Sequence, residues 1–313
     1  MKPPSRLPYV LAAAMLVAIV FLTKSATPHP SPTPPGAFSF AALGDAPYYI
    51  TEDLQFRVLM RELDATDLAF TIHVGDIFWH PCSDAMYQKV KQRFDHLRAP
   101  VVYTPGDNEW TDCWQRGSGA YRPLERLARI RQIFYSGRPR IAVVRQQRFV
   151  ENARWQHDGV TFATVDLVGS RNAMRPFPGR TAADDAAAAE RTNADIEWMH
   201  AAFADQNARA VVIAFHASPP FEDAPGHRNP FEPFLAALEE EVARFKKPVL
   251  LIHGDGHEYT VDSPVISRHT LPNFTRLEVP GSPDVGWVRV FVKPGTTTTF
   301  AFEKHVVPRW KYW

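Results

Sequence analysis

Five apolar runs of this 313-residue sequence each lead into an aspartate or a histidine. Three of them end in a Gly-Asp pair: Phe40–Asp45, Leu68–Asp76 and Val101–Asp107. The other two lead into His216 and into segment 253–257, which reads His-Gly-Asp-Gly-His. Glycine lets the backbone turn tightly where a strand stops, so the next side chain projects from the carboxyl edge of a sheet.

The repetition of this pattern at five positions favours metal binding over simple turns. A single Gly-Asp pair at a strand end is typical of a simple turn, in which aspartate bonds to its own backbone. Carboxylates and imidazoles collected at several adjacent strand ends are instead suited to bind metal ions. The sequence therefore predicts a metal site assembled from separate loops.

The segments between these runs must position the loops, and several have helical periodicity. Leu54, Val58, Leu59 and Leu63 share one face of a helix predicted over 51–64. Alternation of strands and helices predicts right-handed crossovers and parallel neighbouring strands. Further helices are predicted over 83–97, 123–134, 182–203 and 232–245, and further strands over 159–168, 210–215, 249–252, 287–292 and 297–302. We expect an α/β domain with two packed sheets and outer helices.

Composition excludes some classes of protein. The chain is 45% hydrophobic and 22% charged, as expected for an ordinary globular domain with a sizeable core. Its net charge is +1, whereas a nucleic-acid-binding protein would normally carry a basic excess.

The N-terminal region differs from the rest. Lys2 and Arg6 precede an apolar run over 7–22, which favours export through a signal peptide or a membrane anchor within residues 1–26. Residues 27–36 are rich in Pro, Ser and Thr and form a stiff linker, so the folded domain is predicted to span 37–313. We expect a periplasmic protein, or one attached to the membrane through residues 7–22 and facing outward.

Two cysteines, Cys82 and Cys113, lie just downstream of Gly-Asp turns. In an oxidising compartment they could pair and join two of the predicted metal-binding loops, stabilising the fold by about 3–4 kcal/mol. The alternative is two unpaired thiols.

The order of these motifs over residues 38–260 resembles the calcineurin-like metallophosphoesterases, in particular their purple-acid-phosphatase-like branch. The resemblance implies a four-layer α/β/β/α sandwich with two metal ions. It further implies that Asp76 bridges the ions, with Asp45 and His257 on one of them. The ligands of the other ion would be Asp107, His216 and Asp255.

Departures from the family pattern affect the metals. Aspartate stands at 107 where the family has asparagine, and at 255 where it has histidine. Four aspartates would balance two dications, which favours Mn, Mg or Fe over Zn. Pro47 replaces a ligand of the first motif, and Trp79 stands where the branch has a tyrosine ligand, leaving His80 or Tyr48 as substitutes.

A further departure affects catalysis. Asn108 stands where the family has a histidine that contacts phosphate, and asparagine donates a hydrogen bond but no proton. His227 is the candidate general acid and Arg228 the candidate phosphate-binding residue, the alternative being a solvated His-Arg pair. Glu109 is expected to brace its loop, and His253 to be a satisfied strand residue.

These residues predict an exported, metal-dependent phosphoesterase. It would hydrolyse a phosphomonoester or phosphodiester by attack of metal-bound hydroxide, as the resemblance implies. The alternative is a catalytically degenerate member of the family that binds metal or phosphate at the cell envelope.

Overall fold

The computed structural model describes residues 31–78, 81–221, 229–296 and 298–309. From Thr33 onward the chain forms one compact unit. None of the helices in the described part of the chain is long and apolar enough to cross a membrane. The predicted signal or anchor segment lies outside the described residues.

The first sheet has five strands in the order β14-β13-β1-β2-β3. Parallel pairing joins β1 to β2 and β2 to β3, whereas β13 lies antiparallel to both β1 and β14. The strand bounds are Phe38–Leu43 for β1, Thr71–His73 for β2, Val101–Tyr103 for β3, Gly286–Val292 for β13 and Phe300–Val306 for β14. Helices α1, Ile50–Ala65, and α2, Asp84–His96, provide the two crossovers.

The second sheet has seven strands in the order β4-β5-β6-β7-β8-β12-β9, and β6, β7, β8 and β12 are parallel. Its strands are β4 Val144–Arg145, β5 Ala153–His157, β6 Val160–Thr164, β7 Ala210–Ala214, β8 Val249–His253, β9 Thr260–Asp262 and β12 Phe274–Glu278. A small hairpin pairs β10, Val265–Ile266, with β11, His269–Thr270. The remaining long helices are α3 Pro123–Phe134, α4 Ala182–Phe203 and α5 Glu232–Phe245, and the short helical segments are Arg116–Ser118 and Gly169–Asn172.

The two sheets pack face to face through aromatic side chains. Phe162 of the second sheet contacts Phe40 of the first and Phe70 just before β2, with ring centroids 5.5 and 5.0 Å apart, and all three rings are fully buried. Helices α4 and α5 cover the outer face of the second sheet, and α1 covers the first sheet together with α2. This α/β/β/α layering confirms the predicted fold.

The helices agree with the sequence patterns better than the strands do. Helices α3, α4 and α5 have the predicted bounds. Strands β4, β5 and β9 to β11 were not predicted, and β6 is shorter than the expected strand. In β5 only Ala153 and Trp155 are buried, because polar residues alternate with them on the outer face of this half-buried strand.

Candidate metal centre

Five loops converge at one edge of the two-sheet core. Loops after β1, β2 and β3 of the first sheet carry Asp45, Asp76 and Asp107. Loops after β7 and β8 of the second sheet carry His216 and the segment with Asp255 and His257. Parallel strands end at the same edge of their sheet, so the topology itself brings these side chains together.

The side chains form two groups whose ligand atoms lie within 4.8 Å of one another: Asp45, Asp76 and His216, and Asp107, His216 and Asp255. The second group is the set that the resemblance gives to one ion. His257 lies beside the first group, with its Nε2 3.8 Å from Oδ1 of Asp45. The structure thus gathers all six predicted ligands, and it adds His216 to the first group.

Both histidines present the same ring nitrogen to the carboxylates. Nδ1 of His216 bonds to the carbonyl oxygen of Val74 at 3.0 Å, so its Nε2 faces Asp107 at 3.3 Å. Nδ1 of His257 bonds to the carbonyl oxygen of Ser282 at 2.8 Å. A backbone carbonyl on the far nitrogen is the usual way in which metal-binding histidines are oriented.

The backbone of the site is strained at four predicted ligands. Asp45, Asp76, Asp255 and His257 have φ values of 55°, 54°, 68° and 65°. Left-handed conformations are costly for residues other than glycine and concentrate at functional sites. Gly106 is required for a different reason, since a Cβ there would lie 2.2 Å from Oδ1 of Asp76.

Glu109 was expected to brace its own loop, but it braces the neighbouring loop that carries Asp76. Its buried carboxylate accepts hydrogen bonds from the backbone N–H groups of Asp76 and Ile77, both at 3.1 Å, and from the Tyr103 hydroxyl at 2.9 Å. The bracing carboxylate comes from the neighbouring loop, so the positions of Asp76 and Asp107 are coupled.

Asn108 and Tyr48 both contact Asp76. Asn108 donates from its side chain to Oδ2 of Asp76 at 2.6 Å and from its backbone to Oδ1 at 3.1 Å. Tyr48 donates to Oδ2 of Asp76 at 2.5 Å, and its hydroxyl is 3.3 Å from Nε2 of His257. Tyr48 therefore lies where the missing ligand of the first motif would be needed.

The electrostatics of the site fit a bound cation. Burial raises the pKa of Asp45 to about 8 and, together with neighbouring carboxylates, raises the pKa of Asp76 well above its usual value. Burial opposes protonation of His216, but Asp76, Asp107 and Asp255 outweigh it and raise the imidazole pKa. Oδ2 of Asp45 is buried and has no hydrogen-bond partner. A carboxylate oxygen so placed has the character of a metal ligand, because a cation would satisfy it.

Burial favours the neutral form of the two other histidines near these strands. Burial lowers the pKa of His253 to about 4 and that of His73 to about 3. Nδ1 of His253 bonds to the carbonyl oxygen of Gly254 at 3.0 Å, and Nδ1 of His73 accepts from the backbone of Gly75 at 3.2 Å. Both histidines shape the turns. Nε2 of His253 is buried without a hydrogen-bond partner, 4.0 Å from Oε2 of Glu278, so the prediction of a satisfied residue holds only for its Nδ1.

The segment after β12 was not predicted to belong to the site. Besides orienting His257, Ser282 donates from its backbone to the carbonyl oxygen of Asp45 at 2.8 Å. A Cβ on Gly281 would lie 2.5 Å from Cβ of Asp45, so only glycine fits there. The Pro-Gly-Ser-Pro sequence shortly after β12 is a turn signal that could have drawn attention to this segment.

Cys82 and Cys113 form a disulfide, which settles the alternative left open by the sequence. Cys82 lies in the connection between β2 and α2 that also carries Asp76, and Cys113 lies with Asp107 in the loop after β3. The bridge therefore joins two of the loops that form the site.

Four residues considered from the sequence lie outside the described residues. They are Trp79 and His80, discussed as a replaced and a substitute ligand, and His227 and Arg228, the candidate acid and phosphate-binding residue. Their roles stay predictions.

The arrangement of sheets and helices matches a crystal structure of a dimetal phosphatase from Danio rerio. The TM-score is 0.54 at 12% sequence identity, over 87% of this chain and 99% of that one. A protein from Thermus thermophilus matches with a TM-score of 0.47 at 11% identity, over 87% of this chain and 100% of its own. No protein-family model matches the chain, and no curated protein matches its sequence. The first match shows that this chain has the metallophosphoesterase fold. Membership of the purple-acid-phosphatase-like branch stays a prediction.

Proposed function

We propose that this protein is an exported, metal-dependent phosphoesterase that hydrolyses phosphate esters with water. The observation that carries the proposal is the convergence of four aspartates and two histidines from both sheets. One of these aspartates, Asp45, also has a buried carboxylate oxygen without a hydrogen-bond partner. The likeness to a dimetal phosphatase supports the same reading at the level of the fold.

The residues suited to hold two cations are the predicted ones. Asp76 faces both halves of the site, because its Oδ2 contacts Tyr48 and its Oδ1 lies 3.4 Å from Nε2 of His216. Tyr48 is suited to complete the half that contains Asp45 and His257. Cations in such a site would neutralise the carboxylates, hold phosphate oxygens and acidify water.

The other residues hold this arrangement in place. Asn108 and Glu109 fix the side chain and the backbone of Asp76, so that little reorganisation is needed when an ester binds. With its amide on Asp76, Asn108 serves as a positioning residue in this structure. The proton for the leaving group must come from another residue, and His227 remains the candidate.

The test combines metal content with turnover. The full chain would be purified, its metals quantified, and aryl phosphate mono- and diesters assayed with added Mn²⁺, Fe²⁺, Zn²⁺ or Mg²⁺. We expect bound metal and metal-dependent hydrolysis. Asp76→Asn should lower both, and turnover more than about 100-fold, since even the outer partners of metal ligands are worth about 10- to 100-fold.

Asp158 provides a matched control. It too is an aspartate with positive φ, 44°, at the end of a strand, but it is exposed and lies in the turn between β5 and β6. Asp158→Asn should keep metal and turnover. Full turnover in Asp76→Asn would overturn the mechanism.

One observation favours the alternative of a binding protein without turnover. Asn108 replaces the family's phosphate-contacting histidine, and its amide is engaged by Asp76. In that case the purified protein would bind two cations and phosphate but hydrolyse no ester with any ion.

Export is supported by two features. One is the basic and apolar N-terminal sequence; the other is the disulfide, because disulfides persist mainly in oxidising compartments. Fractionation of cells, followed by thiol labelling of the fraction that contains the protein, would test it. Protein found in the cytoplasm with both thiols free would refute export.

A further inference from the structure

The segment that follows β6 contains a turn of unusual handedness. Gly169–Asn172 is hydrogen-bonded as one helical turn, with the N–H of Ala173 bonded to the carbonyl oxygen of Gly169 at 3.3 Å. Four consecutive residues, Ser170 to Ala173, have φ values of 48°, 58°, 53° and 60°. None of them is glycine, so each carries the steric cost of the left-handed conformation. Such a turn persists only where its surroundings impose it.

Buried side chains of α4 hold this turn in place through hydrogen bonds. Arg191, which is buried, donates to the backbone oxygen of Asn172 at 2.9 Å and to its side-chain oxygen at 2.6 Å. The side-chain amide of Asn172 donates to Thr192 at 2.9 Å. From the opposite direction, Ser170 donates to Asp112 at 2.6 Å. Each residue around position 171 is thus fixed.

The turn also lies against the metal centre. A Cβ placed on Gly169 would be 2.6 Å from Oδ2 of Asp107 and 2.8 Å from Oδ1 of Asp255. Arg171 follows two residues later, so its Cα is at most about 7.6 Å from that of Gly169. The flexible side chain of an arginine covers this distance.

Segment 169–180 contains three arginines, and their side chains have different partners. Arg175 pairs with Asp112 at 3.3 Å, and Arg180 donates to Asp185 and to the carbonyl oxygen of Ala173, each at 2.8 Å. The side chain of Arg171 is exposed, and its guanidinium forms no hydrogen bond or ion pair with any residue that the structure describes. Only Arg171 therefore combines closeness to the site with a guanidinium available for a ligand.

We infer that the left-handed turn presents Arg171 to the phosphoryl group of the substrate and makes the site selective for phosphomonoesters over phosphodiesters. The inference rests on the proposed function. A phosphomonoester dianion has three terminal oxygens and two charges, whereas a diester has two terminal oxygens and one charge. A guanidinium beside the metal ligands binds the extra oxygen through charge-assisted hydrogen bonds.

The test uses the full chain loaded with Mn²⁺. Hydrolysis of 4-nitrophenyl phosphate and of bis(4-nitrophenyl) phosphate would be compared, and binding of inorganic phosphate measured by calorimetry. Arg171→Gln should lower kcat/KM for the monoester and the affinity for phosphate by about 10- to 100-fold, the usual value of hydrogen bonds to charged groups. Hydrolysis of the diester should fall by less than about threefold, because the diester lacks the extra charged oxygen that Arg171 would bind. Arg171→Lys should restore part of the loss.

Two further variants separate this role from a structural one. Arg175→Gln removes the same charge from the same segment and should change the ratio of monoester to diester hydrolysis little. Arg171→Gly relieves the left-handed strain, so it should leave the melting temperature unchanged or raised while weakening phosphate binding. A lowered melting temperature with unchanged phosphate affinity would overturn the inference.

The outcomes also distinguish this inference from the proposed function. Equal losses on both esters in Arg171→Gln, or losses no larger than in Arg175→Gln, would overturn the role of Arg171 and leave the phosphoesterase intact. Phosphate binding that depends on Arg171, without hydrolysis of either ester, would support the role of Arg171 in phosphate recognition and refute the enzyme. Absence of both binding and hydrolysis would refute both.

Discussion

Reduction of the Cys82–Cys113 disulfide should destabilise the protein by a calculable amount. The bridge joins residues 31 positions apart, and both cysteines are fully buried. In the chain-entropy model, a closed loop of that size lowers the entropy of the unfolded chain by about 12 cal/mol/K. We therefore expect reduction to lower the free energy of unfolding by about 4 kcal/mol at 25 °C, a large part of the 5–15 kcal/mol typical of a domain.

The assay is urea unfolding of the oxidised and reduced protein, followed by circular dichroism and tryptophan fluorescence. Reduction keeps both sulfur atoms in place, so it removes the constraint with little loss of buried volume. We expect the urea dependence of the free energy to steepen, because the reduced unfolded chain is more expanded. In Cys82→Ala/Cys113→Ala, reductant should have no effect.

Reduction of the disulfide should also weaken metal binding. The bridge joins the loops that carry Asp76 and Asp107, so the reduced protein should bind Mn²⁺ more weakly than the oxidised protein. A loss of less than about 1 kcal/mol on reduction, with unchanged urea dependence, would refute the view that the bridge restricts the unfolded chain.

The remaining predictions concern two buried carboxylates. Glu109→Gln should lower the free energy of unfolding by about 2–3 kcal/mol, since hydrogen bonds to a charged group are worth about 1.5–3 kcal/mol each and an amide cannot accept all three. Chemical denaturation would measure this loss, and a change below about 0.5 kcal/mol would contradict the bracing role. Burial raises the pKa of Asp195, beside Asp166 and Arg191, to about 7, against a usual value of 3.8. The folded state therefore binds this proton more tightly than the unfolded state, and the resulting stability is full below about pH 4 and is lost as the pH rises through 7. Asparagine resembles the neutral acid, so as the pH rises from 5 to 8 the free energy of unfolding should fall less in Asp195→Asn than in the unaltered protein. Equal losses would show that another group titrates.

Much of the centre could be predicted because its ligands follow strands. An apolar run that ends in Gly-Asp predicts a strand and also the edge of the sheet from which the carboxylate projects. This was enough to predict Asp45, Asp76 and Asp107 as metal ligands. Helix α3 had the predicted start because Pro123 suits the first turn, where its missing N–H costs nothing.

Other features of the site could not be predicted, because they depend on contacts between segments that are distant in the sequence. The Ser-Arg-Asn-Ala sequence of the left-handed turn contains no glycine, and the conformation follows only from Arg191 and Asp112, far away in the sequence. Ser282 likewise orients His257 across the gap between two loops, which no local pattern encodes. Local patterns therefore predicted the ligands, whereas tertiary packing determines how they are held.

The place of β1 in its sheet has a consequence for synthesis. This strand lies between β2 and β13, and Arg289 of β13 donates to Ser39 of β1 from 250 residues further along the chain. At about 5–20 residues per second, a ribosome needs roughly 10–50 s to supply the missing neighbour. Through that interval one edge of β1 stays open to pairing with other chains. A product that stopped before Gly286 would keep the open edge permanently, so incomplete chains should be the aggregation-prone form of this protein.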